Sequence, residues 1–370
     1  MKVTGPKTHA ETFRFNQKKL QVIEPCAIGK FIFKGKNAYC DMSKIKALSL
    51  LSGGLDSILA TELILNQGID VEAINFVSPF CLCKKGGCGA AEAAIQLKVP
   101  LKVVSVGNEY LKMVRKPKHG YGRNMNPCID CRIFMIKQAK KYAKEIGASF
   151  IFTGEVLDER PMSQHFRAMQ IVEEGSGLKG RLLRPLSARL LPETVIEKKG
   201  LVKRDKLLNI RGRSRKPQIK LAEEFSITDY PCPAGGCLLT CKEFANKLRD
   251  LFKHRRRCSM ADVALLKVGR HFRFGENKII VGRNESENNV LTVKKGRSDY
   301  YFEVPDVGGP ITVLQGPKTA KSIRVAAGLT AFYSDAKSDK VTVNFGKESL
   351  DKSIPVSVPS RAEVDNLRVG

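Results

Sequence analysis

Leu48-Ser49-Leu50-Leu51-Ser52-Gly53-Gly54-Leu55-Asp56-Ser57-Ile58-Leu59-Ala60 joins an apolar strand-like run to an apolar helix start through a turn with two glycines. The glycines let the backbone turn tightly and aim N–H groups at an anion, and the hydroxyls of Ser52 and Ser57 add donors. The helix N-terminus adds positive potential, so the element reads as a phosphate cradle. Neither the G-K-[ST] of a Walker loop nor the G-x-G-x-x-G of a dinucleotide fold is present.

Outward from this loop, short apolar or β-branched runs alternate with helical stretches from Lys46 to about Thr240, the pattern of a parallel sheet with helices on both faces. The reading predicts strands over 47–51, 71–77, 101–106 and 149–153, and helices over 57–66, 90–97 and 132–146. In the last helix Ile133, Ile136, Ala139, Ala143 and Ile146 follow three-and-four spacing, and Gly147 stands where the helix should stop. Three regions are expected: an N-terminal extension over 1–41, an α/β nucleotide domain over 42–258, and a β-rich module over 259–370. In the last region HFRFGENKIIVGRN, VLTVKKGRSDYYFEV, ITVLQG, IRVAAGL and KVTVNFG read as short strands between Gly, Asn and Asp.

The 370 residues carry 64 Lys and Arg against 37 Asp and Glu, a net charge of +27, which implies a polyanionic partner. Eight basic residues, Lys203, Arg204, Lys206, Arg211, Arg213, Arg215, Lys216 and Lys220, stand against one acid, Asp205, and Lys253-His254-Arg255-Arg256-Arg257 is a second run. No long apolar segment and no signal-peptide core is seen, so a cytoplasmic location is expected. In that compartment eleven cysteines point to metal or sulfur chemistry rather than disulfides.

The cysteines cluster as Cys81, Cys83 and Cys88, then Cys128 and Cys131, then Cys232, Cys237 and Cys241, with Cys26, Cys40 and Cys258 alone. Asn126-Pro127-Cys128-Ile129-Asp130-Cys131 opens a helix with Lys137 and Lys140 further along, a location that favours thiolate. Taken alone, this C-x-x-C fits a zinc half-site, a redox pair or part of a cluster site. The first group fits zinc, a second cluster, a sulfur-relay loop or a plain structural loop.

Ser52-Gly53-Gly54-Leu55-Asp56-Ser57 resembles the pyrophosphate loop of the PP-loop ATPases, which cut ATP between the α and β phosphates and adenylate their substrates. The resemblance implies that Asp56 positions Mg²⁺, that backbone near Phe76 reads the adenine, and that Thr153-Gly154-Glu155 closes over the nucleotide. The order of this loop, N-P-x-x-x-C, T-G-x, an arginine-rich stretch and the late Gly236-Cys237-Leu238-Leu239 resembles the tRNA thiouridine synthases, both 4-thiouridine synthetases and 2-thiouridylases. Those enzymes have Asp where Cys128 stands, and the departure resembles thiolases whose three cysteines hold a [4Fe-4S] cluster. By that likeness Cys128, Cys131 and Cys237 are the ligands, Cys237 being chosen over the alternative Cys232 because G-C-L-L matches the late cysteine of the 2-thiouridylases, with Cys131 and Cys237 catalytic beside Asp56. The alternative is a persulfide on Cys237 resolved by Cys131 without a cluster.

The implied reaction is adenylation of a tRNA uridine by ATP and replacement of a carbonyl oxygen by sulfur, the donor being sulfide or a persulfide-carrying protein. Lys203, Arg204, Arg211, Arg213, Arg215, Lys216, Arg255 and Arg256 are the expected RNA contacts. His165 is a candidate for proton transfer, against the commoner structural role of a lone histidine. Val268 to Phe274 with Lys278 to Asn284 resembles the small RNA-binding module of NFACT proteins. The rivals are a PP-loop ligase or amidotransferase acting on a small metabolite, and an RNA-binding protein that holds ATP without catalysis.

Overall fold

The computed structural model describes residues 45–81, 89–230 and 236–370. The expectations for Cys26, Cys40, Cys83, Cys88 and Cys232 lie outside them. The first region runs β1 (Lys46–Leu50), α1 (Leu55–Leu65), β2 (Asp70–Val77), α2 (Ala90–Gln96), β3 (Leu101–Ser105), α3 (Asn108–Arg115), α4 (Cys128–Glu145), β4 (Phe150–Thr153), α5 (Phe166–Ser176) and β5 (Leu182–Leu183). Four short helices follow, α6 (Val195–Lys198), α7 (Lys216–Glu224), α8 (Lys242–His254) and α9 (Met260–Leu265).

The five strands form a parallel sheet in the order β3-β2-β1-β4-β5. The chain winds outward from β1 to β3 and then returns to the other side of β1. A crevice therefore opens at the carboxyl ends of β1 and β4, where open α/β sheets bind ligands. One apolar cluster, including Leu51, Leu59, Ile64 and Phe152, lies on one face, and a second, including Leu48, Ile74, Phe80, Ile136 and Leu248, lies on the other.

Helix α4 begins four residues before the expected start, at Cys128, so both thiols of the C-x-x-C lie in its first turn. Its three-and-four face is buried at Ile133, Ile136, Ala139 and Ala143, where each full aliphatic side chain contributes roughly 1.5–3 kcal/mol. Gly147, at φ 68°, takes the left-handed position after the helix end.

The second region runs β6 (Arg270–Phe274), β7 (Asn277–Val281), α10 (Glu285–Lys294), β8 (Tyr300–Glu303), β9 (Thr312–Gln315), α11 (Ala320–Phe332), β10 (Lys340–Gly346), β11 (Lys352–Ser357) and α12 (Arg361–Leu367). Its strands form an antiparallel six-stranded sheet, β11-β10-β8-β9-β7-β6. Two expected strands are helices instead. VLTVK lies in α10, which Asn284 caps, and IRVAAGL lies in α11, which opens with a capping box of Thr319 and Ser322. Good caps and an alanine-rich buried face outweigh the β-branched residues in these segments.

Candidate nucleotide and thiol site

Gly53 sits at φ 79°, which turns β1 into α1. The Ser57 hydroxyl donates to the Gly54 carbonyl at 2.8 Å and accepts from the Ser52 amide at 3.2 Å, so the two serines close the loop on itself. Opposite it, Thr153 and Gly154 end β4. A Cβ on Gly154 would lie 2.5 Å from both the Asp56 carbonyl oxygen and the Ser57 nitrogen, so the end of β4 meets the first turn of α1 backbone to backbone. Phe76 is packed in the core at 9% exposure, which leaves only backbone at that point of β2 free to meet a base.

Asp56 Oδ2 accepts from Arg215 at 3.1 Å, and the same guanidinium reaches Glu159 at 3.3 Å. The remaining oxygens, Asp56 Oδ1 and Glu159 Oε2, are buried without hydrogen-bond partners. Burial raises the Asp56 pKa and Glu159 adds to the rise, while Arg215 and Arg160 oppose it. Arg215, expected on the RNA surface, thus turns inward to the loop. Glu159, Arg160 and Gln218 were not singled out from sequence. For Glu159 and Arg160 the charged run Asp158-Glu159-Arg160, separated from T-G-E by two residues, was the available signal.

Glu155 turns into the protein interior. At 3% exposure it binds Arg184 at 3.0 Å and Arg132 at 3.4 Å. Burial pushes its carboxyl up, but Arg132 and Arg184 outweigh this and hold it below the usual range. Through Arg132 it anchors the first turn of α4. Asp130 anchors that turn on the other side by accepting from the Lys118 amide at 3.1 Å and the His119 amide at 2.9 Å. His165 caps α5 by accepting from the Ala168 amide at 3.3 Å, which is the structural role.

The late cysteine comes to α4 by backbone hydrogen bonds. The Met125 amide donates to the Leu239 carbonyl at 3.0 Å, and the Asn124 side chain donates to the Thr240 carbonyl at 2.6 Å. The Leu238 amide donates to the Phe80 carbonyl at 2.8 Å, and Cys81 and Cys237 form a single antiparallel bridge pair. The Tyr110 hydroxyl lies 3.1 Å from Cys131 Sγ, and burial, reinforced by the nearby Cys131, Cys237 and Cys81, pushes that phenol up. Phe80, Tyr110, Phe134 and Phe244 pack beneath these thiols as an aromatic floor.

Cys128, Cys131 and Cys237 are thus brought into one neighbourhood, with Cys81 beside them. Among the described residues no three His, Cys, Asp or Glu side chains stand in a group that would hold a metal ion. The helix N-terminus does not make the thiols acidic as expected. Burial pushes Cys128 and Cys131 up, and Cys237 up to about 12. Cys241 is half-buried at the N-cap of α8.

The two sites share one cation. Arg160, exposed at the crevice, acts electrostatically on both Asp56 and Cys128. Of the expected RNA contacts, Lys203, Arg213 and Lys216 are exposed, while Arg204 pairs with the buried Glu197 and Arg211 with Asp158 at 2.7 Å. Arg255 and Arg256 are exposed, with Arg255 paired to Asp262.

A parallel sheet whose central strand delivers a Ser-Gly-Gly-x-Asp-Ser loop into a switch-point crevice defines a PP-loop-type α/β domain. Residues 42–189 match the family described as thiamine biosynthesis protein (ThiI), and residues 269–367 match the NFACT protein RNA binding domain. Each match covers less than half of the chain. It is similar to a probable tRNA sulfurtransferase of Thermococcus kodakarensis, 28% identical over 43% of this chain and 44% of the relative. It is also similar to the tRNA-specific 2-thiouridylase MnmA of Leptospira interrogans, 29% identical over 30% of this chain and 34% of the relative. The chain thus spans less than half the length of these relatives. A 4-thiouridine synthetase–RNA complex with bound ATP aligns at 24% identity over 60% of this chain and 52% of that chain, with a TM-score of 0.32, too loose a superposition to carry residue roles. No helix among the described residues is long and apolar enough to cross a membrane.

Proposed function

We propose that this chain is an ATP-dependent tRNA uridine thiolase that forms AMP and pyrophosphate. The observation that carries the reading is the convergence of Cys237 on Cys128 and Cys131 beside the phosphate loop, with Arg160 acting on both centres. The loop amides and the Ser52 and Ser57 hydroxyls receive the leaving pyrophosphate. Asp56 Oδ1 and Glu159 Oε2 are an unpartnered oxygen pair of the kind that Mg²⁺ takes. The uridine carbonyl oxygen attacks the α-phosphorus, sulfur then attacks the activated carbon, and AMP leaves. Arg160 is placed to offset charge on the adenylate phosphate as the sulfur arrives. Arg213, Lys216 and the NFACT-type domain supply the surface for tRNA.

By chemistry three thiols suit an iron–sulfur cluster, and Cys128, Cys131 and Cys237 are the residues that would hold a [4Fe-4S] cluster, although as described they do not stand in a metal-holding group. When bound, the cluster supplies an iron open to inorganic sulfide. The second reading is a persulfide relay without iron, and it is favoured by the backbone pairing of Cys237 with another thiol, Cys81.

The test is anaerobic incubation of the full chain with tRNA, ATP and either sulfide or a persulfide donor, followed by nucleoside mass spectrometry and AMP measurement. One AMP per thionucleoside is expected, with loss of thiolation in Cys128→Ala, Cys131→Ala and Cys237→Ala but not in Cys258→Ala. AMP formation with a small acid and no tRNA would replace this reading with the ligase one. Iron that is lost in the same three variants marks the cluster, and iron-free protein that thiolates from persulfide marks the relay.

A further inference from the structure

Cys81 lies in the thiol neighbourhood without belonging to the three-cysteine set, and its geometry toward Cys237 is specific. Its chain neighbour Phe80 is fully buried, with its ring 6.1 Å from that of Tyr110 and 6.0 Å from that of Phe244, so the backbone at Cys81 is anchored in the core. The 2.8 Å bond from the Leu238 amide to the Phe80 carbonyl joins the residue after one cysteine to the residue before the other. In an antiparallel pair that pattern marks a non-hydrogen-bonded position, where facing Cα atoms are about 4.5 Å apart and the side chains are close. A disulfide needs Cα atoms about 4.4–6.8 Å apart, a range that includes the usual spacing of such facing positions. Cys131 is held differently, with its Sγ 3.1 Å from the Tyr110 hydroxyl and Cys128 one helical turn before it. Cys81 and Cys237 are both only half-buried, which leaves them open to small sulfur species.

We propose that Cys81 is a fourth thiol of the sulfur site and the residue that resolves sulfur carried on Cys237. A persulfide donor places a sulfane sulfur on Cys237, and the terminal sulfur attacks the activated carbon as AMP leaves, giving Cys237–S–S–base. The Cys81 thiol, losing its proton to solvent, attacks Cys237 Sγ. The bond from Sγ to the base sulfur breaks, the base departs with its new thiocarbonyl, and a Cys81–Cys237 disulfide forms. The two cysteines together lose two electrons, which reduce the sulfane sulfur, and an external dithiol restores them. The inference rests on the persulfide reading of the site, but its first test does not require tRNA.

The full chain, reduced without oxygen, is given a small excess of oxidised glutathione, trapped with iodoacetamide and mapped by peptide fragmentation. A Cys81–Cys237 link is expected as the dominant product, unchanged in Cys83→Ser and Cys131→Ser. In Cys81→Ser, glutathione should stay attached to Cys237, while ATP binding and melting temperature match the wild type. With tRNA, ATP and a persulfide donor but no dithiol, Cys81→Ser should accumulate tRNA linked to Cys237 that dithiothreitol releases. A dominant Cys131–Cys237 or Cys128–Cys131 link, or a freely alkylated Cys81 in the wild type, would overturn the assignment. Absence of AMP formation with tRNA, beside an intact Cys81–Cys237 link, would sink the proposed function and not this pairing.

Discussion

Gly154→Ala tests whether the T-G-E turn and the phosphate loop form one rigid unit. The added Cβ would lie 2.5 Å from the Asp56 carbonyl oxygen, 2.5 Å from the Ser57 nitrogen and 2.6 Å from the Asp56 carbonyl carbon. All three are backbone atoms in the first turn of α1, so no side-chain rotation relieves the clash. Either the end of β4 or the start of α1 must shift. Overpacking of this kind costs about 1–3 kcal/mol, which at roughly 2–4 °C per kcal/mol for a domain of this size lowers the melting temperature by about 2–12 °C. Because the shift separates the Ser52 and Ser57 hydroxyls from the amides that share the cradle, ATP affinity should fall by about tenfold or more. Thermal unfolding and equilibrium binding of ATP measure the two effects. Gly107→Ala is the control, since a Cβ there meets nothing within 4 Å at an ordinary extended φ of −101°. If Gly154→Ala melts and binds ATP like the wild type, the end of β4 and the start of α1 are not in contact as described and the crevice is wrongly located.

Asp56→Asn should abolish tRNA-dependent AMP release without lowering the melting temperature. Burial and Glu159 hold the Asp56 pKa above its ordinary 3.8, so at neutral pH its charge weakens the fold and an amide removes that cost. A large loss of stability would show that its pair with Arg215 is structural. Asp250, which Arg273 and Lys278 bind at 2.7 and 2.6 Å, behaves oppositely. Burial pushes its carboxyl up, but Arg273 and Lys278 outweigh this and bring it down to about 2. Its stabilising effect is complete above the ordinary value of 3.8 and is lost as pH falls from there towards 2. Asp250→Asn should cost about 1–2 kcal/mol at neutral pH and flatten the acid limb of the unfolding profile. An unchanged acid limb would refute the pairing. Charge reversal at the exposed Arg213 and Lys216 should reduce the log–log salt slope of tRNA binding by about 2. A slope equal to the wild type would move the RNA surface elsewhere.

The shape of the Ser52–Ser57 loop was legible because its residues are contiguous. Ser52 to Ser57 make a loop whose hydrogen bonds run between near neighbours, and the apolar runs on either side dictate strand and helix whatever the rest of the chain does. The α4 face was legible for the same reason, since three-and-four spacing is a local property. Residues 290–294 and 323–329 misled because β-branched runs suit either state. Asn284 and Thr319, which settled them, act from outside those runs.

Sequence alone determined the alternation that builds a parallel sheet, the loop chemistry, the excess of positive charge and the presence of a late cysteine. It did not determine which thiol faces which. That was decided by the Leu238–Phe80 backbone bond, which sets Cys81 opposite Cys237, and by the burial that raises the pKa of Cys131 and Cys237 against the helix N-terminus. Nor did it show that Arg215 turns to Asp56, or that Glu155 holds Arg132 and Arg184. Each of these pairs joins residues far apart in the chain. Their distance depends on how layers stack, and the charge state of a buried group depends on everything packed around it, neither of which is written in local spacing.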